Sequence, residues 1–278
     1  MQDYWKDKAT LVTGSSAGLG LAIATALARA GAKVALCGRR ADALAAAVEH
    51  LRLAAPGCRT LEIVADMTVE GDVERLVSQT VERFGRLDLL VNNVGRSARG
   101  LAIDVTPRQY AEELDLNFLS AVRGTRAAMP HLLASRGHLV NIGSLAAKTA
   151  SRYMGPYAVT KFALAAYNQQ LRLELGPQGV HVLLVCPGPI AREDAGARYA
   201  SAPSAAGADR NEGLPDSARK PGAGAKVKAL RPERVAAQIL RACERRDVEL
   251  ILPGKARLLF ALQAFSPRLG DWLLGKLT

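Results

Sequence analysis

Cysteine is scarce and scattered in this 278-residue chain: Cys37, Cys58, Cys186 and Cys243 form no C-x-x-C pair and no metal-type spacing. That pattern excludes a disulfide framework and implies reduced, mostly buried thiols, with no metal site expected. An apolar leader is also missing. The first residues, MQDYWKDKATLVTG, run directly into a strand-like segment, so a cytoplasmic protein without a secretory signal is expected. The chain further lacks a zinc motif, an RNP-type aromatic sequence and a DNA-reading helix. Its net charge of +11 and pI of 9.8 therefore read as a solvated basic face, and no nucleic-acid partner is expected. From Arg219 onward 13 Lys/Arg meet 5 Asp/Glu, which places 8 of the 11 net positive charges in the C-terminal part.

What is present is a large apolar fraction, 49%, at a mean hydropathy of +0.04, enough for a substantial core in a soluble chain. Short apolar runs alternate with helical patterns throughout. This predicts right-handed βαβ units and an α/β fold with a doubly wound parallel sheet, as a single domain over 1–278. The first run ends at Thr13 and is followed at once by TGSSAGLG and the helical LAIATALARAGA. Gly14, Gly18 and Gly20 stand G-x-x-x-G-x-G on that strand-to-helix turn. Glycine there allows a tight turn and lets a pyrophosphate approach backbone N–H groups at a helix N-terminus; a plain structural turn is the alternative.

The second strand, AKVALCGRR, ends on Arg39 and Arg40, about 20 residues past Gly20, where a dinucleotide fold places an acid for the ribose 2′-hydroxyl. No acid is there. Two arginines suit a 2′-phosphate through charge-assisted contacts, which points to NADP(H). Asp66 closes the third strand, placed to hydrogen-bond an adenine amino group. After LDLLVNNVG, Asn92, Asn93 and Gly95 either bring a polar loop against a cofactor or make an ordinary turn. A long helical pattern from about Pro107 to Leu133 contains Asn117, a poor helix former without a specific task.

The stretch SLAAKTASRYMGPYAVTK, Ser144 to Lys161, carries the chemistry. Tyr157 and Lys161 stand at i and i+4, on one face of a helix. A phenol has a pKa near 10, and an ammonium beside it favours the phenolate. The Ser144 hydroxyl, just after the strand-like VNIGS, can donate to a carbonyl oxygen as it becomes an alkoxide. Together the three can make an acid/base site for carbonyl–alcohol chemistry on a small-molecule substrate; the alternative, and the commoner case for Tyr-x-x-x-Lys taken alone, is a solvated helix face.

Another buried strand, GVHVLLVCPGPIA, ends in Pro187-Gly188-Pro189. From 190 to 230 the texture turns to Ala, Gly, Ser and Pro without periodicity, and a mobile substrate lid with some short helix is expected there. The tail, 253–278, has two apolar runs separated by Ser266-Pro267, each too short for the roughly 18 to 20 residues that span a bilayer. It packs on the core, forms an oligomer interface or rests on a membrane surface.

With these residues laid out, the chain resembles the short-chain dehydrogenase/reductase family, of Rossmann type with about seven strands, over roughly residues 6–190. TGSSAGLG resembles its cofactor loop, NNVG its N-N-A-G turn, and Asn117, Ser144, Tyr157 and Lys161 its catalytic four. The resemblance implies that Tyr157 exchanges the proton, Lys161 assists it and holds the nicotinamide ribose, Ser144 orients the carbonyl and Asn117 positions a relay water. It implies cofactor contacts at Gly14, Ser15, Ser16, Gly18, Leu19 and Gly20, at Arg39, Arg40, Asp66 and Met67, at Asn93 and Gly95, and at Pro187, Gly188 and Ile190. Relatives often carry a threonine after the Pro-Gly turn where this chain has Arg192. The tail looks more like members that reduce lipophilic ketones, such as 3-ketodihydrosphingosine reductases and hydroxysteroid dehydrogenases. A homodimer or homotetramer is implied. The leading expectation is an NADP(H)-dependent oxidoreductase interconverting a ketone and a secondary alcohol; the alternative is a non-catalytic dinucleotide-binding regulator on the same fold.

Overall fold

The apolar runs fold as strands β1 (Ala9–Val12), β2 (Lys33–Gly38), β3 (Thr60–Val64), β4 (Leu89–Asn92), β5 (His138–Ile142), β6 (His181–Pro187) and β7 (Glu249–Leu252). Helices α1 (Gly18–Arg29), α2 (Ala41–Ala54), α3 (Glu70–Phe84), α4 (Pro107–Leu114), α5 (Ser120–Ser135), α6 (Pro156–Leu175) and α7 (Pro232–Glu244) lie between them, and α8 (Ala256–Phe265) and α9 (Pro267–Leu277) follow. The computed structural model describes residues 4–191, 214–215, 218 and 227–277. Its seven strands form one parallel sheet in the order β3-β2-β1-β4-β5-β6-β7.

Strand periodicity sorts the side chains into two cores. Val12, Val91, Val140 and Val185 face α1, α2 and α7, against Ile23, Leu51 and Ile239. Leu11, Leu90, Leu139 and Val182 face α3, α5 and α6, against Leu76, Leu132 and Leu171. Each such side chain contributes roughly 1.5–3 kcal/mol when fully buried, so strands buried on both faces read as continuous apolar runs. The sheet grows outward in both directions from the β1–β4 pair, and a crevice opens where the strand order reverses, at the carboxyl ends of these strands.

The single long helix expected from Pro107 to Leu133 is interrupted. A π-turn, Asp115–Leu119, separates α4 from α5, and Asn117 lies in its middle, 1% exposed. The wider turn carries Asn117 inward, where its amide has the partners described below.

Most of the expected lid, with Arg192, lies outside the described residues. Its flanks are tied together: Ile190 bridges Leu230, the Ala191 N–H donates to the Leu230 carbonyl at 2.8 Å, and the Leu230 N–H donates to the Pro189 carbonyl at 2.8 Å. The tail forms two helices that pack as a hairpin. A Cβ on Gly270 would stand 2.6 Å from the Gln263 side chain, so only glycine permits this approach.

At the far end of the sheet, β5 and β6 begin with paired histidines, His138 and His181. The His181 Nε2–H donates to the Asp247 carbonyl at 2.8 Å, which leaves Nδ1 to accept from His138 Nδ1 at 2.8 Å. His138 Nε2 then accepts from the Tyr4 hydroxyl at 2.7 Å. One proton arrangement satisfies the whole chain with both rings neutral. The Cys243 thiol lies beside them, all ligand atoms within 4.8 Å, but the two Nδ1 atoms are committed to each other. Burial, and secondarily His181, pushes His138 down to about 3; burial also lowers His181. Both folded-state values lie below the unfolded one, so this stability is complete above about pH 6.5 and is lost as pH falls toward 3. Urea midpoints should therefore drop below pH 6.5, by about 1.4 kcal/mol per pH unit for each proton excluded from the native state. A midpoint flat from pH 6.5 to 5 would show that the pair takes up protons as readily in the native state as in the unfolded chain.

Candidate active site

The turn after β1 is built for close approach. Gly14 and Gly18 adopt φ of 62° and 57°, and a Cβ on Gly20 would lie 2.3 Å from the Gly14 carbonyl oxygen. Ser15 is fully buried; its N–H donates to the Cys37 carbonyl, and its Oγ accepts from the Cys37 N–H, each at 2.9 Å. Ser16 packs over Gly38 at the end of β2. The α1 N-terminus has no side-chain cap and no acid in its first turn, which leaves N–H groups for an anion. Left-handed glycines and an open helix end fit a dinucleotide pyrophosphate.

Beyond β2, the Arg39 and Arg40 side chains are exposed. Arg39 approaches Asp66 at 3.8 Å, and Arg40 lies 3.8 Å from Asp42. Asp66 accepts from the Thr68 N–H and hydroxyl at 2.9 and 2.8 Å, which fixes its carboxylate at the end of β3, and Met67 is buried beside it. All four follow closely on the carboxyl ends of β2 and β3.

After β4, the Asn93 amide donates to the Thr13 and Gly14 carbonyls, both at 3.0 Å, and its N–H donates to the Thr13 hydroxyl at 3.0 Å. Asn93 therefore ties two cofactor loops together with its side chain. A Cβ on Gly95 would stand 3.0 Å from Asn117 Oδ1 and 3.6 Å from Lys161 Nζ, so glycine there brings three elements to one point. Asn117 Oδ1 accepts from the Arg96 N–H at 2.8 Å, and its Nδ2 donates to the Arg96 carbonyl, the Thr160 hydroxyl and Glu113. Glu113 is fully buried and pairs with Arg96 Nε at 2.7 Å. Neither Glu113 nor Thr160 was among the expected site residues. The one signal for Glu113 is a carboxylate four residues before Asn117, on the side of α4 that turns inward.

Ser144 follows β5 through Gly143 and caps a short turn, its Oγ accepting from the Ala146 N–H at 3.1 Å. Tyr157 lies in the first turn of α6, which begins at Gly155 and Pro156. Gly155 has φ of 51°, and a Cβ there would be 3.2 Å from the Arg99–Gly100 backbone. Lys161 Nζ donates to the Ile142 carbonyl at 2.8 Å, at the end of β5, and lies 5.8 Å from the Tyr157 ring centre. Burial lowers Lys161 to about 8, with Cys186 opposing weakly. The buried ammonium is thus held near neutrality by the absence of water, a condition suited to passing a proton.

Ser144, Tyr157 and Lys161 line one cleft of about 590 Å³, together with Leu19, Asn93, Gly95, Pro187, Gly188 and Ile190. The Gly188 N–H donates to the Leu252 carbonyl at 2.7 Å, which fixes the turn after β6. The remaining walls are largely apolar: Leu145, Ala146, Met154, Val227, Leu259 and Phe260. Asn117 stands behind this surface. A broader groove of about 1320 Å³ runs along α1 and α7 and touches Ser16 and Gly18, but none of the catalytic side chains reach it. A bound nicotinamide dinucleotide supplies the hydride in such a site. Of the chain's own groups in this cleft, the Ser144 hydroxyl can hold a carbonyl oxygen, the Tyr157 hydroxyl can exchange a proton, and the apolar walls can exclude water.

The chain matches the short chain dehydrogenase family model over residues 8–201. It is 33% identical over 276 residues to an uncharacterized oxidoreductase of Bacillus subtilis, covering 98% of this chain and 72% of that protein. It is 31% identical over 268 residues to the 11-beta-hydroxysteroid dehydrogenase A of Sesamum indicum, covering 96% of this chain and 74% of the other. An L-fucose dehydrogenase of Bos taurus is 37% identical over 191 residues, 68% of each chain. Among solved structures, a short chain dehydrogenase/reductase of Burkholderia phymatum in complex with NAD superposes with a TM-score of 0.81 at 25% identity, covering 95% of both chains. A short-chain dehydrogenase of Streptomyces avermitilis gives 0.77 at 29% identity, covering 97% of both. With one family spanning 8–201 and relatives running nearly end to end, the protein belongs to the short-chain dehydrogenases, and its chemistry is that of a dinucleotide-dependent oxidoreductase.

Proposed function

We propose that the protein is an NADP(H)-dependent reductase of a lipophilic ketone, working in the cytoplasm and returning a secondary alcohol. The observation that carries this reading is the cleft itself: one acid/base set in walls that are mostly Leu, Ile, Met, Val, Pro and Phe, with Arg96, Arg99 and Lys255 also lining it. Among the relatives, one is named for a hydroxysteroid and three for L-fucose, and the apolar walls favour the former substrate class. Assembly of Ser144, Tyr157 and Lys161 around a cleft argues against a purely regulatory dinucleotide binder. NADPH consumption against short acyl thioesters, long-chain ketones and steroids tests it; turnover confined to short polar carbonyls would overturn the lipophilic assignment.

Arg39 and Arg40 support the phosphorylated coenzyme, because exposed guanidiniums beyond β2 can meet a 2′-phosphate at little cost in desolvation. NADPH should bind more tightly than NADH, and Arg39→Ala should shrink the difference by about 1.5–3 kcal/mol. Coenzyme titrations on both proteins measure this. Equal wild-type affinities would favour the second reading, an NAD(H)-dependent alcohol oxidation, which the NAD complex of the Burkholderia neighbour motivates.

Homo-oligomerisation belongs to the same proposal. Val159, Phe162, Ala166 and Leu173 recur at helical spacing along the exposed side of α6, a stripe suited to a symmetric contact.

A further inference from the structure

The helical hairpin at the C-terminus has two sides with different surroundings. Inward, Ala256 and Phe260 pack on the cluster of Ala147, Leu184, Cys186 and Ile251, and Leu259 and Leu274 help wall the catalytic cleft. Outward, Leu258 is 67% exposed, Phe265 90%, Leu269 39% and Trp272 56%. Leu258 belongs to both sides, since it also lines the cleft, and so marks its lip. Large apolar groups left in water this way mark an interaction surface.

Charge selects the occupant. Lys255, Arg257, Arg268 and Lys276 are all exposed on the hairpin, against a single acid, Asp271. Lys276 Nζ sits 3.8 Å above the Trp272 ring, which places a cation and an amphipathic indole together, the pairing favoured at a lipid headgroup layer. A second copy would bring the same excess of positive charge, in a chain of net charge +11, so hairpin-on-hairpin pairing sets like charges together. Among the described residues, no helix is long and apolar enough to cross a membrane.

We propose that this hairpin docks on an anionic bilayer surface, with Phe265 and Trp272 in the headgroup region and the cleft mouth at Leu258 facing the lipid. A lipophilic ketone would then enter from the bilayer rather than from water. The route depends on the substrate class proposed above, whereas the docking depends only on the hairpin.

The chain holds two tryptophans, Trp5 fully buried and Trp272 half-exposed, so a lipid-induced change in emission reports Trp272. The experiment adds vesicles of phosphatidylcholine with about 30% phosphatidylserine at low salt, and follows flotation and emission. Expected are flotation, a blue shift that Trp272→Phe removes, and weaker binding to phosphatidylcholine alone. Each basic residue near such a surface is worth about fivefold in partitioning, from about 1 kcal/mol, so Arg268→Gln with Lys276→Gln should weaken it by about twenty-five-fold. Phe265→Ser should weaken flotation while leaving turnover of a water-soluble ketone intact. Protein that stays in the aqueous phase with unshifted emission overturns the proposal. So does a dimer in sedimentation that Phe265→Ser dissociates, because the partner on this face is then a second copy. Vesicle binding without NADPH turnover of any ketone supports the docking and rejects the proposed reaction; turnover of long-chain ketones without vesicle binding does the reverse.

Discussion

Tyr157→Phe should lower kcat by about 10² to 10⁴, the usual contribution of a positioned general acid or base, while coenzyme affinity changes little. The phenol stands in the first turn of α6, in the cleft with Ser144, and its ring is held by packing against Ala146, Met154 and Ala158. Phenylalanine keeps that packing and removes the hydroxyl with its exchangeable proton. Lost turnover with unchanged fluorescence titration of the coenzyme would place Tyr157 in the chemical step. A folded variant that keeps most of its activity would remove it from that role.

Lys161→Met should separate activity from stability. The wild-type side chain is held well below its ordinary 10.5, at about 8, because burial disfavours its charge. At pH 7 the group is protonated in both folded and unfolded chains, so the native state bears the unfavourable burial in full. A shift of this size corresponds to about 3 kcal/mol, and loss of the bond to the Ile142 carbonyl takes back about 1 kcal/mol. The variant should gain about 2 kcal/mol in urea unfolding at pH 7 and lose activity by two orders of magnitude or more. The sign also sets a pH profile. Wild-type stability should rise between pH 8 and 10.5 as the buried amine loses its proton, and the methionine variant should lack that rise. A less stable variant at pH 7 would show that the ammonium is net favourable where it sits.

Much of this arrangement was legible from local pattern. Alternating apolar runs and helical stretches dictated the parallel sheet, because a βαβ crossover is nearly always right-handed. That Tyr157 and Lys161 share one face of α6 was legible from helical spacing, while their reading as a pair with chemistry rested on the motifs around them. Asn117 was recognised as an anomaly within a helix, but the π-turn that explains it depends on tertiary partners, Glu113, Thr160 and the Arg96 backbone, which no local pattern encodes. The structural use of Asn93 was hidden for the same reason: its amide serves Thr13 and Gly14, about eighty residues earlier in the chain. The two faces of the tail were equally invisible, since its leucines look alike in sequence and only packing separates Leu259, at the cleft wall, from Leu258, at its lip.

The bridge between Ile190 and Leu230 has an evolutionary consequence. Both ends of the intervening stretch are clamped to each other beside β6, whatever its length or composition. Closing a loop between fixed ends costs little more as it lengthens, about 0.6 kcal/mol for each doubling. The number of residues between the clamps can therefore change without opening the bridge itself. In this protein the turn at Pro187 and Gly188 is an inheritance held by backbone bonds, separable from the length of the stretch that follows it.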